Sequence, residues 1–200
     1  MKLRLFLLLS IGLFLFVRPE SYAAKPASAT TPGTYKDWHD MDEVTIVQPF
    51  QLGAFKVVAV PPLDTRNATL PPPNDNSYAD VKAALAGSAQ AFIAGLQSKL
   101  GGLQVQAGQG GGANALVVRV RITKTDPGSR AARYFVGFGA GAAKIGIAGE
   151  IVDGRTGKVL VRFAQERRSF AGGFGGDYRD LLDRTLHQVG GDVAGLLRAF

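Results

Sequence analysis

The sequence predicts an α+β fold, a two-layer sandwich in which two helices cover one face of a twisted, mostly antiparallel sheet. Leu116–Thr125 alternates apolar residues with the polar residues Arg119, Arg121 and Thr123, which is typical of a half-buried strand. Lys144–Val152 and Lys158–Ser169 are further β-type segments, and Asp153–Gly157 between them has the composition of a hairpin turn. Two amphipathic helical segments would hide the apolar face of this sheet. The residues of the hairpin expected to face inward are Ile145, Ile147, Ile151, Val159, Val161 and Phe163.

The helical segments are recognised by apolar residues at three- and four-residue spacing. The first begins at Ser77, a residue type that caps helix starts, and stops at Gly101–Gly102, since glycine adopts the left-handed conformation without strain. The second runs from about Asp177 to the C-terminus. It contains Gly190–Gly191, which should weaken it by about 1 kcal/mol per glycine and marks where it could break. Further predicted strands are Val44–Val47, Phe55–Val60 and Leu103–Gln106.

The first residues, 1–23, have the pattern of a cleavable signal peptide. Lys2 and Arg4 precede the apolar run Leu5–Val17, which is shorter than the about 20 apolar residues of a membrane-spanning helix. We expect cleavage after Ala23 and export to the periplasm or beyond, because small residues stand at the positions that the peptidase reads. The chain has no cysteine, which excludes a lipidated cysteine, disulfides and thiolate metal ligands.

After the signal peptide we expect a flexible spacer, residues 24–43, and then a single α/β domain, residues 44–200. The spacer begins with a stretch rich in Ala, Pro, Ser and Thr and ends in Asp37–Glu43, which carries four carboxylates and one imidazole. The spacing of these acids does not match a calcium-binding loop. We therefore interpret Asp37–Glu43 as a solvated approach to the first strand.

The sequence contains no recognisable catalytic set. The histidines are His39 and His187, and His187 falls on the polar side of the second predicted helix. Glu150, Asp153 and Glu166 would serve a hydrolase only if two of them shared a cleft and had a raised pKa. We therefore predict a protein that is not an enzyme, and we assign no catalytic, metal-binding or cofactor-binding residue.

A candidate interaction surface precedes the hairpin. Arg130, Arg133, Tyr134, Phe135 and Phe138 combine cationic and aromatic groups, the types enriched at interface hot spots, in a glycine-rich segment. The alternative, that these aromatic side chains pack under the helices, stays open.

Two further patterns bear on the choice of ligand. Gly137–Gly141 does not predict a nucleotide site, because a strand and not a helix start follows it, so these glycines are expected to shape the backbone. The net charge is +7, but the longest basic run is only Arg167–Arg168, so nucleic acid is not an expected partner. Peripheral contact with anionic lipid or a cell-wall polymer stays open.

Several motifs of the second half of the chain occur together: Gly128-Ser129-Arg130, Arg133, Gly137–Gly141, the turn Asp153…Thr156-Gly157-Lys158, and the glycine-rich approach to the last helix. Together they resemble the domain-of-unknown-function 4410 family of small bacterial envelope proteins. The resemblance spans about Phe55 to Ala199 and is most specific in Gly128–Lys158. It implies an envelope location and an α/β sandwich similar to the N-terminal domain of TolB and the periplasmic part of the curli secretion channel. It implies no activity, and this sequence lacks the lipidated cysteine of many members.

Export, a compact α/β core and the lack of a catalytic set favour a non-enzymatic accessory or binding module of the bacterial cell envelope. Its partner would be an envelope protein or a second copy of the chain. One alternative is a membrane-associated oligomer related to the periplasmic domains of secretion channels, with Leu116–Thr125 and the hairpin extended into a pore. The other is a periplasmic hydrolase that uses Glu150, Asp153 or Glu166.

Overall fold

The computed structural model describes residues 31–66, 68, 70–76, 78–110, 112–126, 143–169 and 178–200. Within these residues seven strands form one sheet and two α-helices pack on one of its faces, which confirms the predicted two-layer α+β sandwich. In chain order the elements are β1 (Gly33–Trp38), β2 (Met41–Ile46), a 3-10 turn (Leu52–Ala54), β3 (Val57–Val60), α1 (Tyr78–Lys99), β4 (Gln104–Ala107), β5 (Ala115–Asp126), β6 (Ala143–Asp153), β7 (Val159–Ser169) and α2 (Tyr178–Leu197).

The strands lie in the order β1-β2-β7-β6-β5-β3-β4. Neighbouring strands in the part β1-β2-β7-β6-β5 are antiparallel, whereas β3 pairs in parallel with both β5 and β4. Helix α1 joins β3 to β4, because parallel neighbours need a crossover connection. The predicted hairpin is β6–β7. The Asp153 carboxylate fixes its turn by accepting the backbone N–H groups of Arg155 (2.8 Å) and Thr156 (2.9 Å).

The first two strands correct the predicted spacer. Residues 33–43, assigned to a flexible segment, instead form β1 and the start of β2, an antiparallel hairpin that joins the sheet through β7. Tyr35, Trp38 and Met41 are buried, so this hairpin contributes to the core. His39 and Asp40 have positive φ angles of 49° and 61°, which fits the tight two-residue turn between Trp38 and Met41. The predicted signal peptide, residues 1–23, and residues 24–30 lie outside the described residues, as does the predicted cap Ser77.

Apolar side chains on one side of the sheet, the helix face, form the core together with α1 and α2. The predicted inward residues of the hairpin are buried with the exception of Val159, which is half-buried. The β6–β7 register shifts between Ile151 and Val152 and places Val159 opposite Val152, which explains the difference. The buried residues of the helix face include Val44, Ile46, Leu116, Val118, Val120, Ile122, Ile145, Ile147, Ile151, Val161 and Phe163.

A buried polar network lies between α2 and the sheet. The Asp192 carboxylate, whose side chain is 6% exposed, accepts hydrogen bonds from Arg167 Nε (2.8 Å) and Gln165 Nε2 (3.0 Å). Gln165 Nε2 also donates to the carbonyl of Asp40 in the β1–β2 turn. One carboxylate thereby connects α2, β7 and the first hairpin.

Aromatic rings join the last residue to the first hairpin. Phe200 stacks on Phe50 with ring centroids 4.4 Å apart, and its edge faces Trp38 at 6.1 Å. The backbone N–H of Leu52 donates to the backbone oxygen of Phe200 (3.2 Å). These contacts hold the segment after β2 against the end of the chain.

The two helices pack closely on each other through glycines. A Cβ atom placed on Gly95 would lie 1.9 Å from the carbonyl oxygen of His187, and one on Gly190 would lie 2.1 Å from the carbonyl oxygen of Phe92. Helix α2 runs through Gly190–Gly191 without interruption, so the expected weak point does not break it. No helix within the described ranges is both long enough and apolar enough to cross a membrane.

Candidate ligand-binding depression on the open sheet face

The side of the sheet opposite the helices, the open face, carries polar side chains and two small ones. The β5–β6–β7 register aligns Arg119 with Glu150 and Arg162 in one row, and Arg121 with Ala148 and Ala164 in the next. The arginines are exposed, and Ala148, Glu150 and Ala164 are half-buried. Because the alanines do not reach above the sheet, a depression of about 660 Å³ lies between the longer side chains.

One wall of the depression is the segment after β3. Pro61 and Pro62 interrupt the strand because proline has no amide proton to donate, and both line the depression. The chain then returns to β5: the Asp64 N–H donates to the carbonyl of Val120 (2.9 Å), and the Ile122 N–H donates to the carbonyl of Asp64 (2.9 Å). Pro61 and Pro62 therefore form a rigid wall of the depression, and these hydrogen bonds hold the backbone after them against β5.

Gln109, which follows β4, completes this side of the depression. Its position depends on Gly110, where φ is +57°. A Cβ atom on Gly110 would lie 2.2 Å from the Cβ of Ala59 and 3.2 Å from Val117 Cγ2. Glycine is required because the backbone adopts a left-handed conformation directly against the sheet.

Each acid that lines the depression already has its own cation. The Glu150 carboxylate accepts from Arg162 Nε (3.1 Å), and Glu43 forms an ion pair with Lys36. The Asp64 carboxylate accepts from Nε and Nη2 of Arg66, both at 3.0 Å, and these hydrogen bonds lower the pKa of Asp64 from 3.8 to about 2.

Arg119 and Arg121, in contrast, form no ion pair within the part of the chain that the structure describes. Of the interactions that lower the pKa of Asp64, the one with the charge of Arg121 is the smallest. Both residues lie on β5, two positions apart, and therefore project from the same face about 7 Å apart along the strand. The depression thus presents two guanidinium groups above a floor of alanine.

The predicted interaction surface, residues Arg130, Arg133, Tyr134, Phe135 and Phe138, lies outside the described residues and stays a prediction. The same holds for Gly137–Gly141.

The sequence had placed Arg119 and Arg121 on the polar face of a half-buried strand, which is where the structure has them. It did not single them out as a site. The signal that identifies the depression is the pairing of Ala148 with Ala164, and that pairing depends on a register between strands.

The three acids considered for a hydrolase have different partners in the structure. Glu150 pairs with Arg162, whereas Glu166 lies 4.0 Å from Lys124. Asp153 lies at the hairpin turn, where hydrogen bonds from the backbone of Thr156, and then of Arg155, lower its pKa. A general acid of a hydrolase needs the opposite shift.

The acidic segment Asp37–Glu43 forms the β1–β2 turn and its flanks. The Asp42 carboxylate accepts the backbone N–H of Glu166 (2.6 Å), and Glu43 pairs with Lys36 across the hairpin. Among the described residues, no three His, Asp or Glu side chains are grouped so that they could hold a metal ion. His187 is exposed on α2, on the polar side where the sequence placed it.

Comparison with known proteins gives one family. The model of a domain of unknown function (DUF4410) matches residues 58–173, which is more than half of the chain and includes the motifs in Gly128–Lys158 that indicated this family. No curated protein matches the chain.

Two solved structures are similar to the chain at low identity. The PelC dodecamer from Paraburkholderia phytofirmans is 15% identical, with a TM-score of 0.47, and the alignment covers 74% of this chain and 96% of that one. Lipoprotein GNA1162 from Neisseria meningitidis is 14% identical, with a TM-score of 0.34, and the alignment covers 57% and 81%.

Proposed function

We propose that this chain, which belongs to the DUF4410 family, is a non-enzymatic binding module of the bacterial cell envelope that binds its ligand in the depression on the open face. The observation that carries the proposal is the depression itself. Its volume of about 660 Å³ lies within the range of about 300–1,000 Å³ that is usual for ligand sites. The envelope location is supported by the signal-peptide pattern of residues 1–23.

The composition of the open face favours a binding surface over an ordinary solvated one. A solvated face of an antiparallel sheet gains stability from cross-strand pairs of β-branched, aromatic or oppositely charged residues. Alanine is depleted in strands, yet Ala148 and Ala164 face each other on adjacent central strands, with Arg121 and Glu43 as their outer neighbours. The pair contributes little to sheet stability, but it leaves room for a ligand.

The acids support a binding role and not hydrolysis. Glu150, Asp153 and Glu166 are each engaged by a different cation or backbone group. Their observed interactions hold side chains and a turn in place. The predicted partner is an envelope protein or a second copy of the chain. Its predicted binding surface is residues 130–138, and this prediction is separate from ligand binding in the depression.

Filling the depression tests the proposal. Ala164→Phe places a ring in the depression, away from the helix face, and phenylalanine is favoured in strands. The matched control is Gln104→Phe, because Gln104 is exposed on β4, an edge strand of the same sheet, and does not line the depression. We expect both variants to melt close to the parent protein.

The readout is a set of amide NMR signals during titration with fractionated envelope extract. We expect shifts at Arg119, Arg121 and Ala148 in the parent and in Gln104→Phe, and none in Ala164→Phe. Shifts that persist in Ala164→Phe, or that occur only outside the depression, would show that the open face is not the binding surface.

Export has its own test. The full chain is expressed in a Gram-negative host, and the mass of the product in the periplasmic fraction is measured. We expect a protein that lacks residues 1–23. An uncleaved product in the cytoplasm would contradict the envelope assignment, and an uncleaved product in the inner membrane would contradict the predicted cleavage.

A further inference from the structure

We infer that the depression recognises an oxyanion, a carboxylate or phosphate group of the ligand, which Arg119 and Arg121 bind together. The inference rests on the proposed function, because it names the chemistry of the ligand for the same depression.

The first step is the distribution of charge. Asp64, Glu43 and Glu150 line the depression, and each is neutralised by a cation other than Arg119 and Arg121. The lining contains three acids and three arginines, and the cations that pair with Glu43 and Asp64, Lys36 and Arg66, lie beside it. Counted together, these groups have a surplus of two positive charges, which are those of Arg119 and Arg121 on β5. Like charges on one face of a strand repel each other, and a bound anion removes this repulsion.

The second step is geometry. Guanidinium groups bind carboxylate and phosphate through paired N–H donors, and these charge-assisted hydrogen bonds are stronger than neutral ones. Arg119 and Arg121 are about 7 Å apart along β5, a distance that their long side chains can close onto one anionic group or span across two. Next to Arg121, Ala148 leaves space at the level of the sheet where the anion can sit.

The third step is the orientation of the neighbouring side chains. Glu150, beside Arg119 on β6, is turned toward Arg162 on β7 and bonds to its Nε at 3.1 Å. Asp64 is held by two hydrogen bonds from Arg66. Because both acids are occupied, neither needs to be displaced when an external anion binds.

The concave shape favours a small molecule, or one residue of a polymer, over a flat membrane surface. A carboxylate would come from an acidic sugar and a phosphate from a phosphorylated ligand. The two sources share the same recognition chemistry and are separated by the probes of the experiment.

The experiment is a titration of the purified protein with inorganic phosphate, with galacturonate and with uncharged galactose, followed by amide NMR. We expect phosphate, galacturonate or both to shift the signals of Arg119, Arg121 and Ala148, while galactose does not. Phosphate alone would indicate a phosphorylated ligand, and galacturonate alone an acidic sugar. No anion-dependent shift at these residues overturns the inference.

Substitutions locate the anion. Arg119→Gln and Arg121→Gln should each weaken binding of the active probe by about tenfold or more, as expected when one charge-assisted hydrogen bond is lost. Arg119→Lys keeps the charge but loses the paired donors, so we expect an intermediate affinity. The matched control is Arg155→Gln, since Arg155 is exposed at the β6–β7 turn, and it should bind like the parent. Equal weakening in Arg155→Gln would show non-specific attraction to net charge and would overturn the inference.

The outcome for the inference can be separated from that of the proposed function. If envelope extract shifts the depression signals in the parent but not in Ala164→Phe, while neither anion binds, the binding surface stands and the anionic ligand is wrong. If neither extract nor anions shift these signals, both are wrong.

Discussion

The close packing of α1 against α2 is tested by the substitution Gly95→Ala. A Cβ atom at this position would lie 1.9 Å from the carbonyl oxygen of His187 and 2.8 Å from its carbonyl carbon. Ordinary van der Waals contact begins at about 3.4 Å, so the helices would have to separate by about 1.5 Å. The atoms in the way belong to backbone, which a rotamer change cannot move. Gly190→Ala meets the same obstacle at the carbonyl oxygen of Phe92, 2.1 Å away.

The expected cost follows from two opposing effects. Alanine is favoured over glycine in a helix by about 1 kcal/mol. Overpacking of a well-packed core costs about 1–3 kcal/mol, and a clash between two backbones belongs at the upper end. Each substitution should therefore destabilise the protein by about 2 kcal/mol. For a chain of this size that corresponds to a decrease in Tm of about 4–8 °C.

Two other glycines provide matched controls on the same helices. Gly87 in α1 and Gly195 in α2 have no atom within 4 Å of an added Cβ. There only the helix preference remains, so Gly87→Ala and Gly195→Ala should stabilise the protein by up to about 1 kcal/mol. Urea unfolding followed by circular dichroism measures all four variants. If Gly95→Ala and Gly190→Ala prove as stable as the controls, the close packing of the helices is wrong.

Three further predictions concern single side chains. Asp192→Ala should destabilise the protein by about 2–3 kcal/mol, because the buried Gln165 amide and Arg167, whose side chain is 31% exposed, lose their carboxylate partner. The control is Glu150→Ala, which removes an exposed ion pair and should cost under about 1 kcal/mol. Equal losses in urea unfolding would contradict the burial of the network. The Asp64 carboxyl should titrate by NMR with a pKa of about 2 and return toward 3.8 in Arg66→Gln. Because the pKa is lower in the folded than in the unfolded protein, this carboxylate stabilises the protein above pH 3.8, and the stabilisation is lost as the pH falls toward 2. An Asp64 titration that is unchanged in Arg66→Gln would exclude the ion pair. Phe200→Ala should lower stability by about 1–2 kcal/mol, because it removes a half-buried ring stacked on another, and unchanged urea unfolding would show that the stacking does not hold the segment after β2.

The elements that sequence reasoning located best are those with a local periodic signal. Predicted Leu116–Thr125 corresponds to β5, and the hairpin around Asp153 corresponds to β6–β7, each within one or two residues. Helix α1 also agrees, since its apolar stripe and the glycines after it lie next to each other in the chain. In all of these the burial of one side is encoded every two or every three to four residues.

The predicted strand Val44–Val47 overlaps the second half of β2, but the β1–β2 hairpin was not predicted, because part of its stability comes from distant residues. Its composition is polar, and its turn, His39–Asp40, lacks the Asn-Gly or Asp-Gly pair that identifies most tight turns. The carbonyl of Asp40 in this turn accepts a hydrogen bond from Gln165, a contact between residues 125 positions apart. No local pattern contains that contact.

The depression could not be derived from the sequence for a related reason. The alternation in β5 shows that Arg119 and Arg121 share a face, and this prediction is confirmed by their exposure. It does not show that Ala148 and Ala164 lie beside them, because that depends on the registers of β5–β6 and β6–β7. A shift of one residue in either pairing would replace the alanine floor by side chains of the opposite face.

Gly190–Gly191 shows how packing can override a correct local argument. Propensity alone assigns these glycines a cost of about 2 kcal/mol, which makes them the expected weak point of the helix. The structure places Gly190 against the backbone of α1, where the absence of a side chain lets Phe92, Leu96 and Leu186 become fully buried between the helices and the sheet. Full burial of one such side chain is worth about 1.5–3 kcal/mol. Two of them are enough to exceed the cost of both glycines, so the helix remains continuous through the pair.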